Sequence, residues 1–151
     1  MNKHLQLPIE IEILHHPGQV VLRIVIGPEA LRDWCLGFCL LKERLIETLT
    51  VTQEHGKKGV KVQLRAKPEV DGTVRASLKP DISRLEVTRS SLDYLQHFFL
   101  KYYRDGAAAV DHLDLEAIDI DTGDKQIYIT LKVPDSVPPV SSKEAERRLQ
   151  G

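Results

Sequence analysis

The chain carries one pattern twice. Residues 9–67 read as strand hairpin, helix, strand hairpin, and residues 73–133 read the same way. Within the helical stretches the apolar positions correspond at a constant offset. Ile26, Leu31, Trp34, Phe38 and Leu41 align with Val87, Leu92, Leu95, Phe99 and Tyr102. Such a repeat predicts one compact domain over residues 1–133 with internal pseudo-symmetry, built from two ββαββ units. With 151 residues, a single domain of this kind buries most of its apolar surface without disulfides or metals.

The first strand is expected at Ile9–Leu14, where Ile9, Ile11 and Ile13 alternate with Glu10 and Glu12. Alternation of this kind marks a half-buried strand. His15-His16-Pro17-Gly18 supplies the turn, and Gln19–Ile26 returns with Val20, Leu22, Ile24 and Ile26 inward. Arg23 then meets Glu10 or Glu12 across the pair. A helix is expected over 28–49, opened by Pro28 and Glu29 and striped by Leu31, Trp34, Phe38, Leu41, Leu45 and Leu49. Strands at 50–55 and 60–67 close the first unit, and Pro68-Glu69-Val70-Asp71-Gly72 reads as a tight connector.

In the second unit, strands are expected at 73–79 and 84–88. A helix follows over 90–105, with Ser90 and Asp93 placed as a capping box. The last hairpin spans about 112–133. Leu113, Leu115 and Ala117 share one phase and Ile118 and Ile120 the other, which predicts a bulge between Ala117 and Ile118. The Pro-, Ser- and charge-rich tail, 134–151, is expected to be partly disordered. The fold class that follows is α+β with two layers. A mainly antiparallel sheet, or two abutting sheets, of about eight strands carries two long helices on one face.

Local charge patches stand out against a formal net charge of -1. Lys61, Gln63, Arg65 and Lys67 form one outward row, and Thr73, Arg75, Ser77 and Lys79 another. If the tight connector pairs these strands, both rows share one basic face, with Lys57 and Lys58 at its rim. Such a face suits an acidic protein patch or a phosphate backbone. It lacks outward aromatics on which single-stranded nucleic acid stacks, so a protein partner is the better expectation. The last hairpin is acidic: Asp111, Asp114, Glu116, Asp119, Asp121 and Asp124. Equivalent hairpins of opposite charge allow two copies to meet basic against acidic in a closed homodimer. Five aromatics (Tyr94, Phe98, Phe99, Tyr102 and Tyr103) crowd the second helix, a composition enriched in protein interfaces.

Chemistry-bearing motifs are sparse. His112, Asp114 and Glu116 alternate along a strand, but same-side positions about 6.5–7 Å apart let two ligands converge and rarely three. Cys35 and Cys39 lie one helical turn apart and read as small hydrophobes. No Gly-rich phosphate loop or zinc-protease pair occurs. No cofactor, metal or catalytic residue is therefore assigned. The expectation is a non-catalytic cytoplasmic protein, not membrane-bound, that acts through a protein–protein surface as a homodimer or in the manner of a small inhibitor or immunity protein. Nucleic-acid binding through the basic face is one alternative. The other is a ligand-binding protein or enzyme with a cleft between the units, in which Trp34, Tyr94, His97 and Tyr128 are the residues to inspect.

Overall fold

A computed structural model describes residues 1–54, 59–67, 73–105, 112–123 and 126–133. The chain is a mixed α+β fold with one nine-stranded sheet and two helices. The strands are β1 (Asn2–Leu7), β2 (Ile9–His16), β3 (Gln19–Ile26), β4 (Thr48–Gln53), β5 (Lys61–Ala66), β6 (Val74–Leu78), β7 (Ile82–Val87), β8 (His112–Asp119) and β9 (Gln126–Lys132). Helix α1 (Leu31–Lys42) follows a single 3-10 turn at Pro28–Ala30, and α2 spans Arg89–Asp105.

The strand order is β1-β4-β5-β7-β6-β8-β9-β3-β2. Each hairpin (β2–β3, β4–β5, β6–β7 and β8–β9) is antiparallel. Where one hairpin meets another the contact is parallel, at β3–β9, β5–β7 and β6–β8, and β1 also joins β4 in parallel. The sheet is therefore mixed, not mainly antiparallel. Short turns permit only antiparallel neighbours. Parallel ones need long crossovers, which the helices and the interleaving of hairpins provide.

Interleaving also corrects the expected basic face. β5 and β6 do not pair, because β7 stands between them. In register, Glu86 of β7 lies between Arg65 of β5 and Arg75 of β6. Direct pairing of β5 with β6 would have set two cationic rows side by side, which is unfavourable. The intervening strand places a carboxylate in the row instead.

The two edges of the sheet are β1 and β2, and these are consecutive in the chain with only Pro8 between them. A sheet whose first and last strands are joined by one residue must curl until its edges meet. Across the seam, Ile11 N–H of β2 donates to Gln53 Oε1 of β4 at 2.9 Å. Lys3, Leu5 and Leu7 alternate as a strand requires, yet β1 was not expected. Pro8 interrupts the run, and a proline between two alternating segments reads as a strand start.

Inward rows of the sheet and the buried faces of both helices form a single hydrophobic cluster. At its centre the rings of Trp34, Phe38 and Phe99 lie 5.3–6.3 Å apart, centroid to centroid, within the range of favourable aromatic pairs. Lys42 near the end of α1 forms an ion pair with Asp93 near the start of α2, so the helices run antiparallel. Trp34 is fully buried, and its Nε1 has no hydrogen-bond partner among the described residues.

Three local expectations are corrected. The first helix ends at Lys42, not Leu49: Arg44 takes a left-handed conformation (φ 59°), and β4 begins at Thr48. Leu45, placed in the helical stripe, is 64% exposed, while Leu49 and Val51 follow strand alternation. The second helix is capped by Thr88, whose Oγ1 accepts from Ser91 N–H at 3.3 Å and lies 3.1 Å from Ser90 Oγ. Asp93 is occupied with Lys42. Finally, β8 has no bulge. Its register with β9 is unbroken from His112–Lys132 to Ile118–Gln126, which leaves Ile118 36% exposed on the outer face and turns Asp119 inward.

Candidate functional site at the mouth of the curled sheet

Strand directions place all four hairpin turns at one end of the sheet. At that end β2, β4, β6 and β8 finish and their partners begin. Pro17-Gly18 makes the tightest turn, with Gly18 at φ 78°, a conformation glycine takes without steric cost. Inside this rim the inner face of the sheet bounds a cavity of about 510 Å³.

The wall of the cavity is aliphatic: Ile11, Ile13, Val20, Val60, Leu78 and Ile127. These residues come from β2, β3, β6 and β9 and from the approach to β5, so the lining runs round the curl. Each sits on the inward phase of its strand, continuing the row that packs the core further in. Four polar residues join them: His15 at the end of β2, Ser83 on β7, Lys79 in the β6–β7 turn and Asp119 at the end of β8. Ser83 is only 1% exposed and sits on the inward phase of β7 at the cavity wall.

Asp119 and Asp121 organise the rim. Asp121 N–H donates to Asp119 Oδ1 at 2.8 Å, and Ser77 Oγ donates to Asp121 Oδ2 at 2.9 Å. Lys79 Nζ lies 3.3 Å from the same Asp121 oxygen. The Ser77 hydroxyl and then Lys79 hold the Asp121 carboxyl below its ordinary value. The ammonium is thus committed to Asp121, while Asp119 is a lining residue of the cavity.

The residues singled out in the sequence fall into three places. Lys61, Arg65, Lys67 and Arg75 lie on the outer face, where Lys67 Nζ is 3.6 Å from Glu86 Oε2. Asp114 and Glu116 are also outward, on β8, and Thr130 Oγ1 donates to Asp114 Oδ1 at 2.8 Å. Lys79, Asp119 and Asp121 come together at the cavity rim. Lys57 and Lys58 lie outside the described residues, as do Asp111, Asp124 and the tail from 134. The residues proposed for a cleft do not line the cavity. Trp34 is in the core, Tyr94 and His97 are exposed on α2, and Tyr128 is on the outer phase of β9.

The aliphatic lining went unrecognised because it looks like core. Its signal was present in three polar residues on inward phases: His15 continuing Ile9, Ile11 and Ile13, Ser83 opening the row Ser83, Leu85, Val87, and Asp119 continuing Leu113, Leu115, Ala117. Elsewhere, Leu36 on α1 and Tyr94, Leu100 and Tyr103 on α2 are exposed. Both cysteines are free thiols, and burial pushes that of Cys35 up to about 11. Among the described residues no group of three or more His, Cys, Asp or Glu is placed to hold a metal ion, and no helix is long and apolar enough to cross a membrane.

No protein-family model and no curated protein matches the chain. Among solved structures it is similar to the crystal structure of Drosophila Suppressor of Fused, at 13% identity and a TM-score of 0.43. The match covers 82% of this chain and 26% of that one, so the chain spans about a quarter of the length of that protein.

Proposed function

We propose that the chain is a non-catalytic cytosolic protein built by internal duplication, and that it works by binding protein, with a second copy of itself as the first partner to test. A small inhibitor that docks on a target protein is another form of the same reading. The observation that carries it is the helix surface. Leu36, Tyr94, Leu100 and Tyr103 stay exposed on two adjacent helices whose other faces are buried. Exposed aromatic and aliphatic side chains gathered on one layer characterise association surfaces.

Duplication is supported by the recurring element order and by the contact of equivalent residues. Phe38 and Phe99 align at the sequence offset, and their rings lie 5.7 Å apart. A fold with such internal symmetry offers two related surfaces. Lys61, Arg65 and Glu116 remain exposed on the outer face to orient a partner. Nucleic acid is the weaker reading, since Glu86 interrupts the arginine row and Lys67 and Lys79 are already paired.

Light scattering coupled to size exclusion tests self-association. The expected mass at micromolar concentration is that of two chains, falling toward one in Leu100→Ser/Tyr103→Ser and in Lys61→Glu/Arg65→Glu. A mass of one chain at low and high salt alike would end the homodimer reading and leave only the heterologous partner.

A further inference from the structure

We propose that the cavity at the mouth of the curled sheet binds a small apolar molecule carrying a cationic, hydrogen-bond-donating head, such as an arylalkyl amine. This inference is independent of the protein-binding reading, which uses the helix layer and the outer face. It rests on three observations. The first is size and lining. A space of about 510 Å³ walled by six aliphatic side chains falls within the range of small-molecule sites, which are concave, mostly apolar and provided with few polar groups. The mouth of a closed or nearly closed sheet is a recurrent place for one.

The second observation is Ser83. It borders the cavity on the inward phase of β7, beside the aliphatic wall. It thus places a polar side chain among apolar ones, the composition of a small-molecule site. A ligand head that reaches Ser83 gains a hydrogen bond there.

The third observation is charge, and it selects the head group. Among the described residues, Asp119, Asp121 and Lys79 are the charged groups at the rim, and His15 also lines the cavity. Asp121 takes Lys79 at 3.3 Å and the Ser77 hydroxyl at 2.9 Å. Asp119 accepts one backbone N–H and has no cationic partner among the described residues, while lining the cavity. An unneutralised carboxylate beside apolar walls attracts an opposite charge more strongly than it would in open water. An anionic head would face that carboxylate, with Lys79 already engaged by Asp121. An ammonium head meets Asp119 and leaves its apolar body among Ile11, Ile13, Val20 and Ile127.

The test uses the full chain and three probes with the same body: phenylbutylamine, phenylbutanol and phenylbutyrate. Titration calorimetry measures affinity, and methyl shifts of Ile11, Ile13 and Ile127 report location. The amine is expected to bind at least about tenfold more tightly than the carboxylate, the effect of one added charge-assisted hydrogen bond. Ile13→Trp and Val20→Phe, which fill the cavity from two walls, are expected to abolish binding of amine and alcohol while far- and near-ultraviolet circular dichroism stay native. Asp119→Asn keeps the acceptor for Asp121 N–H and is expected to erase the preference for the amine without loss of alcohol binding. The proposal is overturned if none of the probes binds at millimolar concentration. It is equally overturned if binding survives in both cavity-filling variants with native spectra, or if the carboxylate binds as tightly as the amine.

Discussion

Gly37 sits in the middle of α1, and its replacement by alanine sets two effects of known size against each other. Alanine is favoured over glycine in a helix interior by about 0.8–1 kcal/mol. Taken alone, that predicts stabilisation. A Cβ at this position, however, would lie 2.7 Å from Leu49 Cδ2 and 3.3 Å from Leu49 Cδ1. Leu49 is fully buried on β4, so its isobutyl group cannot swing into solvent and must displace neighbours. Overpacking of a close-packed core costs about 1–3 kcal/mol. The second effect wins, and Gly37→Ala is expected to destabilise by roughly 0.5–2 kcal/mol. A second substitution isolates the cause. Leu49→Val removes both Cδ atoms and costs about 1 kcal/mol by itself. In that background the alanine meets only the ordinary contact now made by Leu49 Cγ at 3.6 Å, and Gly37→Ala is expected to stabilise. Urea unfolding of the four proteins, read as midpoints at constant m, measures the cycle. A higher midpoint for Gly37→Ala in the native background, or the same shift in both backgrounds, would refute the close approach of α1 to β4.

Two further outcomes follow from the cap of α2 and the rim of the cavity. Thr88→Ala is expected to lose about 1–2 kcal/mol, because the buried Oγ1 accepts from Ser91 N–H and contacts the Ser90 and Ser91 hydroxyls; Thr88→Ser retains most of this, and equal losses in the two by urea unfolding would remove the capping role. The Asp121 carboxyl is held below its ordinary value of 3.8, so its contribution to stability is fully present above that pH and is lost as pH falls through the depressed native value. Asp121→Asn is therefore expected to narrow the gap to wild type on acidification below about 3.8, and a stability difference that is flat through the acid limb would contradict the Ser77–Asp121–Lys79 linkage.

The strands other than β1 and the second helix were legible because period two and period 3.6 are written into residues such as Ile9, Ile11 and Ile13 or Leu92, Leu95 and Phe99. Even the Arg23–Glu12 contact was readable, and the two groups lie 3.8 Å apart across the predicted pair. What could not be read is what depends on which strands are neighbours. Nothing local in the row Lys61, Arg65, Lys67 reveals that β7 intervenes before Arg75. The end of α1 was misplaced because Leu45 and Leu49 satisfy a helical stripe as well as Leu49 and Val51 satisfy alternation, and tertiary packing chose the latter. The cavity was hidden for a related reason. Ile13 and Val20 carry the same pattern whether a core side chain or a cavity faces them, and the polar His15, Ser83 and Asp119 on inward phases are what differ from core.

The order of strands has a consequence for how the molecule is made. Hairpin β2–β3 lies at one end of the sheet and hairpin β4–β5 toward the other, with both C-terminal hairpins sandwiched between them. Residues 20–25 pair directly with residues 127–132. During synthesis the early hairpins therefore emerge with their lateral hydrogen-bonding groups unmatched and must wait for nearly the whole polypeptide before the ring can lock. Long-range pairing of this kind slows folding and prolongs the exposure of sticky strand flanks. Severed near residue 70, neither fragment would hold a complete set of neighbours, but the two fragments mixed together would still contain every partner that each one lacks.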